Sequence, residues 1–101
     1  MISRIWHGYT TPENADAYEA LLKEEVFVGI LNRNISGYKG IQLLRRQISD
    51  ETEFITIMWF DSLDSVRKFA GANYENSVVP EKARMILSRY DKTSQQYDVK
   101  I

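Results

Sequence analysis

Residues Phe54 to Gly71 read FITIMWFDSLDSVRKFAG, and the fold follows from this stretch. From Phe54 to Phe60 every residue is β-branched, aromatic or apolar, which favours a strand with Phe54, Thr56, Met58 and Phe60 on one face and Ile55, Ile57 and Trp59 on the other. Neither face is polar. A strand apolar on both sides is covered on both sides, so it is expected at the centre of a sheet, with helices on one face and something else, such as another subunit, on the other. Asp61 or Ser62 then caps a short helix whose inner stripe is Leu63, Val66, Phe69 and Ala70, and Gly71 stops it.

Toward the N-terminus, Ile2 to Gly8 reads as a first strand, with Ile2, Arg4 and Trp6 on one face and Ser3, Ile5 and His7 on the other. Thr11 as N-cap, Pro12 in the first helical position and Glu13 at the positive end of the dipole announce a helix. Its apolar stripe is Ala15, Tyr18, Leu22 and Val26, and it is expected to stop between Val26 and Asn32. A second strand follows over Ile41 to Gln47, and the polar Ile48 to Thr52 segment is a hairpin loop into the central strand. Beyond Gly71, Asn73 to Val79 is irregular, and Pro80 starts a helix over Glu81 to Ser88 with Ala83, Ile86 and Leu87 inside. Ser94 to Ile101 alternates as an edge strand does.

The order is the α+β, ferredoxin-like βαββαβ plan, with a four-stranded antiparallel sheet and helices on one face, all in one domain over residues 1–101. One layer of helices cannot bury apolar residues on both faces of the strands, so a homodimer, sheet against sheet, is expected. With no cysteine, 13 Lys+Arg against 14 Asp+Glu and a net charge of −1, disulfides and thiolate metal sites are excluded. Interspersed charges leave no footprint for nucleic acid or a membrane surface. No apolar run approaches the roughly 18 residues of a membrane span and no leader is evident, so the expected location is cytoplasmic.

Candidate functional residues are few. His7, the only histidine, is the natural general base for a phenolic or carbon acid; the plainer reading is a solvated or hydrogen-bonded strand end. One histidine without cysteine does not make a metal site. Trp6, Tyr38, Trp59 and Phe69, with Tyr74, could line a pocket for a flat aromatic molecule, against the plainer reading that they are core. The Tyr74 hydroxyl could bond a substrate oxygen, and Arg84 or Arg45 could stabilise a developing oxyanion, unless these arginines are simply solvated. Walker, dinucleotide-binding and serine-hydrolase motifs are missing, as is the basic-glycine-aromatic signature of RNA-recognition modules.

Gly37-Tyr38-x-Gly40 followed by Leu43-Leu44-Arg45-Arg46, and Trp59-x-x-Ser62-Leu63-x-x-Val66-Arg67-x-Phe69-Ala70-Gly71, resemble the antibiotic-biosynthesis-monooxygenase-like family of the dimeric α/β-barrel superfamily. Tyr74, Val78-Val79-Pro80, Ala83-Arg84 and Tyr97 continue the resemblance in order, over nearly the whole chain. It implies a dimer whose two sheets close a barrel, with a pocket between sheet and helices in each subunit. The implied activity is cofactor-independent oxygenation of a small hydrophobic or aromatic compound, with no cofactor and no metal; the alternative is a non-catalytic dimer that binds such a ligand or serves as an interaction module. Haem breakdown is disfavoured, because that branch has an Asn in the first strand and a His in the later helical region, whereas here the strand ends Trp6-His7 and residues Ser62 to Ser88 hold no histidine. Gln96 stands where many similar sequences place a His, and an amide is no base at neutral pH.

Overall fold

Alternation along the first strand sets the two faces of the sheet. In the computed structural model, which describes residues 1–101, β1 (Ile2–Thr10) buries Ile2, Arg4, Gly8 and Thr10 under the helices. Ser3, Ile5, His7 and Tyr9 take the opposite, outer face. The stretch read as central is central: β3 (Glu51–Phe60) lies between β2 (Tyr38–Ile48) and β1, antiparallel to both. β2 is longer than the expected Ile41–Gln47, and the hairpin loop shrinks to Ser49-Asp50, with Ser49 at φ +49°. A two-residue turn with positive φ matches the twist of the flanking strands and lets pairing run to its end.

The expected four-stranded sheet has five strands. Both β4 (Arg89–Tyr90) and β5 (Gln95–Asp98) pair with the free edge of β1, so the final strand is one ladder position broken in two. Gly8 pairs with Tyr90 and Ile5 with Gln95, so three steps on β1 face five on the partner and the intervening segment bulges out. Other acceptors and donors satisfy it. The Trp6 indole Nε1 donates to the Asp91 carbonyl at 2.7 Å, and Thr93 forms an isolated bridge with Asn76. The strand expected to reach Ile101 ends at Asp98.

The first helical stretch runs without a break from a 3₁₀ turn at Pro12–Asn14 through α1 (Ala15–Leu21), a π turn (Leu22–Val26) and α2 (Phe27–Asn32). Thr11 has the extended backbone of a cap, but its hydroxyl makes no capping bond; Asn14 N–H donates to the Thr11 carbonyl at 3.1 Å in a tightened first turn. Ser62, not Asp61, caps α3 (Leu63–Ala70), accepting from Ser65 N–H at 3.3 Å. α4 (Glu81–Ile86) is shorter than Glu81–Ser88, because Leu87 turns extended and Ser88 N–H joins the Tyr9 carbonyl at 2.8 Å.

Two buried clusters tie helices to sheet. Ala15, Tyr18, Leu21, Leu22, Phe54, Ala83 and Leu87 form one, with the Tyr18 and Phe54 rings edge-on at 4.8 Å. Ile2, Met58, Phe60, Val66 and Phe69 form the other. The outer face carries Ile5, Ile55, Ile57 and Trp59 with Leu44 and Tyr97 beside them, and no helix packs on it.

Gly37 docks the start of β2 against α3. It sits at φ +86°, and a Cβ there would lie 1.9 Å from Ser65 Oγ. Gly29, inside α2, has nothing within 4 Å of the same position. Gly37→Ala should therefore cost roughly 2 kcal/mol or more, while Gly29→Ala should stabilise by roughly 0.5–1 kcal/mol, as read from urea unfolding midpoints. Midpoints moving in the same direction would contradict this packing.

Candidate functional site

Between the inner face of β1–β3 and the helices lies a cavity of about 60 Å³. One water needs roughly 10–15 Å³ by the same measure, so the space admits a few waters or a small ligand. Its wall is mostly apolar: Trp6, Leu22, Ile30, Met58, Phe69 and Val79 contribute, with Val26 of the π turn beside them. Single π turns inside helices are often found at functional sites. Val26, Ile30, Phe69, Val78 and Pro80 line both this cavity and an outer groove, whose rim carries Arg33 and the Lys82–Glu25 ion pair at 2.8 Å. Trp6 reaches this position because residue 8 is glycine: a Cβ on Gly8 would come within 2.7 Å of the indole.

One wall residue is permanently charged. Arg4 is 3% exposed, and its guanidinium lies 5.6 Å from the centroid of the Phe69 ring. Nη1 donates to the Tyr74 carbonyl and to Gln96 Oε1, and Nη2 donates to the Asn76 carbonyl at 3.0 Å. All three acceptors are neutral, and none of the ion pairs in the chain includes Arg4. Burial pulls its pKa down to about 10, which leaves it charged at neutral pH. Tyr18, the other titratable residue in the wall, has its phenol pushed up by burial and stays neutral.

Of the residues singled out from sequence, Trp6 and Phe69 meet in this cavity. His7 and Trp59 do not. Both occupy outer-face positions, on alternate residues from Trp6 and Met58, so the sheet itself separates them from the cavity. His7 Nδ1 instead lies 3.3 Å from Glu53 Oε2. Tyr38 packs on Phe60 at 5.7 Å, away from the cavity, and Tyr74 lies under the Arg67 guanidinium at 5.3 Å while offering only its carbonyl to Arg4. Arg84 is exposed on α4, and Arg45 pairs with Asp16 and Glu19 at 2.8 and 3.0 Å. Arg4 was missed as a site residue. Its signal was present, since a charged residue in the inner row between Ile2 and Trp6 must be buried with its apolar neighbours.

The outer face has a polar end of its own. Buried Glu53 accepts from Arg46 Nε at 2.6 Å and from the Tyr9 hydroxyl at 3.3 Å, beside His7. Arg89 stacks 3.7 Å from the Tyr9 ring centroid and pairs with Glu51. No group of three or more His, Cys, Asp or Glu side chains is placed to hold a metal ion, and no helix is long and apolar enough to cross a membrane. No protein-family model and no curated protein matches this chain.

The Arg46 hydrogen bond, reinforced by those from His7 and Tyr9, holds the Glu53 carboxyl below its ordinary 4.5. A carboxyl lowered in the folded state adds stability that is complete above pH 4.5 and fades as the pH falls through the lowered value. Glu53→Gln should thus be less stable than the parent at pH 7, with the gap closing in acid. A gap unchanged by pH would show that the charge of Glu53 contributes nothing.

Proposed function

We propose that this protein is a cofactor-independent monooxygenase of the antibiotic-biosynthesis-monooxygenase type, taking a small hydrophobic, planar compound into the cavity between sheet and helices. The observation that supports this reading is the cavity itself, mostly apolar, flanked by Trp6 and Phe69, and sharing Val78 and Pro80 with an outer groove. Apolar walls around a flat molecule exclude water and hold it for attack. The substrate enters as its anion, its proton given up to solvent and recovered in the water formed at the end, and it serves as its own reductant. An electron passes from it to molecular oxygen, the two radicals join, and the peroxide collapses. One oxygen atom becomes the product carbonyl and the other leaves as water, the electrons coming from the substrate's C–H bonds. The protein contributes position and charge stabilisation.

A second reading, a non-catalytic binder of the same kind of ligand, is favoured by one specific feature. The only titratable residues in the cavity wall are Arg4 and Tyr18, and neither accepts a proton at neutral pH. Oxygen uptake by metal-stripped protein offered tricyclic phenols and anthrones separates the two readings. The oxygenase reading expects chelator-insensitive uptake above a boiled control, lost in Ala83→Leu, which fills the cavity from a buried wall position. Ligand binding without uptake would favour the binder.

The assembly we propose is a homodimer in which two outer sheet faces meet and close a barrel. Ile5, Ile55, Ile57 and Trp59, flanked by Leu44 at 43% and Tyr97 at 52% exposure, make a contiguous apolar surface of the kind that marks an interface. Light scattering should give twice 11.8 kDa at micromolar concentration, and Ile57→Lys, at the centre of that face, should halve it. A monomer mass for the parent would rule out the dimer.

A further inference from the structure

Arg4 offers more donors than the protein uses. A guanidinium carries five N–H groups in a planar fork. Nη1 uses both of its hydrogens on the Tyr74 carbonyl and Gln96 Oε1, and Nη2 uses one on the Asn76 carbonyl. The Nε–H and one Nη2–H remain, with no acceptor from the protein. Two parallel donors on a guanidinium edge match the two oxygens of a carboxylate.

The surroundings make that edge selective. Arg4 lines the apolar cavity beside Trp6, Met58 and Phe69, and its charge faces no carboxylate. A buried charge without a counter-ion is costly, and a ligand that brings the counter-ion recovers part of that cost. The outer groove, by contrast, is electrically mixed, lined by Arg33 and Lys82 together with Glu25 and Glu81, and the Arg33 guanidinium donates only to the carbonyls of Lys68 and Phe69.

We infer that the ligand of this cavity is a small planar carboxylic acid, its ring against Trp6 and Phe69 and its carboxylate held by the free edge of Arg4. This inference rests on the reading of the cavity as the ligand site.

Three probes of one size test it by calorimetry: benzoate, its neutral isostere benzamide, and toluene. Toluene binding reports on the cavity alone, and benzoate against benzamide reports on Arg4. The expected result is that all three bind, with benzoate preferred to benzamide by about tenfold or more. Arg4→Gln should abolish that preference, and Arg4→Lys, which keeps the charge without the fork, should retain part of it. If toluene binds and the parent protein prefers benzamide or shows no preference, the role of Arg4 is overturned and the cavity stands. If none binds, the cavity reading fails and this inference with it. The comparison within the parent protein decides the matter even if an Arg4 variant does not fold.

Discussion

Folding this chain takes one guanidinium out of water without giving it a carboxylate. Arg4 sits in the inner row of β1 between Ile2 and Trp6, and a strand's alternation leaves it no route to the outer face. Its neutral acceptors come from the least regular part of the chain, the Tyr74 and Asn76 carbonyls and the Gln96 side chain. The irregular segment after α3 and the broken last strand are therefore coupled through Arg4. The bulge between β4 and β5 brings Thr93 to Asn76, and Gln96 on β5 reaches Arg4 across the strand pair. What looks like loose architecture is the shell that satisfies a buried cation.

The sheet divides the molecule chemically as well as geometrically. Its helix side holds the cavity, mostly apolar, with Arg4 as its charged residue. Its outer side holds an apolar centre with a charged end, where Glu53 gathers Arg46, Tyr9 and His7. His7 had the right chemistry for a base and the wrong parity for the cavity: one residue separates it from Trp6, and on a strand one residue is a change of face. Within this chain, any proton transfer inside the cavity must do without it.

Most of the fold was legible because its signals are local and redundant. The seven apolar residues from Phe54, the Ala15-Tyr18-Leu22 stripe, Ser62 before Leu63 and Pro80 before Glu81 each act over a few residues, and each appears as read. Long-range compensation was not legible. The break in the last strand depends on a bond from Trp6 to Asp91, 85 residues away, and no local pattern announces it. The 3₁₀ start at Pro12 and the π turn at Leu22–Val26 are likewise choices the helical periodicity does not record. Aromatic residues were overvalued as a pocket signature, since Trp59 and Tyr38 sit elsewhere and only Trp6 and Phe69 reach the cavity. The charged residue in an apolar row was the better signal, because burying an arginine requires a reason that burying a tryptophan does not.

The guanidinium protons of Arg4 report on this account directly. In a spectrum of protein carrying nitrogen-15 arginine, seven Nε–H signals are possible, and Arg4→Lys identifies the one that belongs to Arg4. Because Nε–H is a donor that the protein leaves without an acceptor, that signal shifts when benzoate is added, while those of the exposed arginines do not. An Arg4 signal that does not respond to benzoate would mean that the cavity has no charged end open to a ligand.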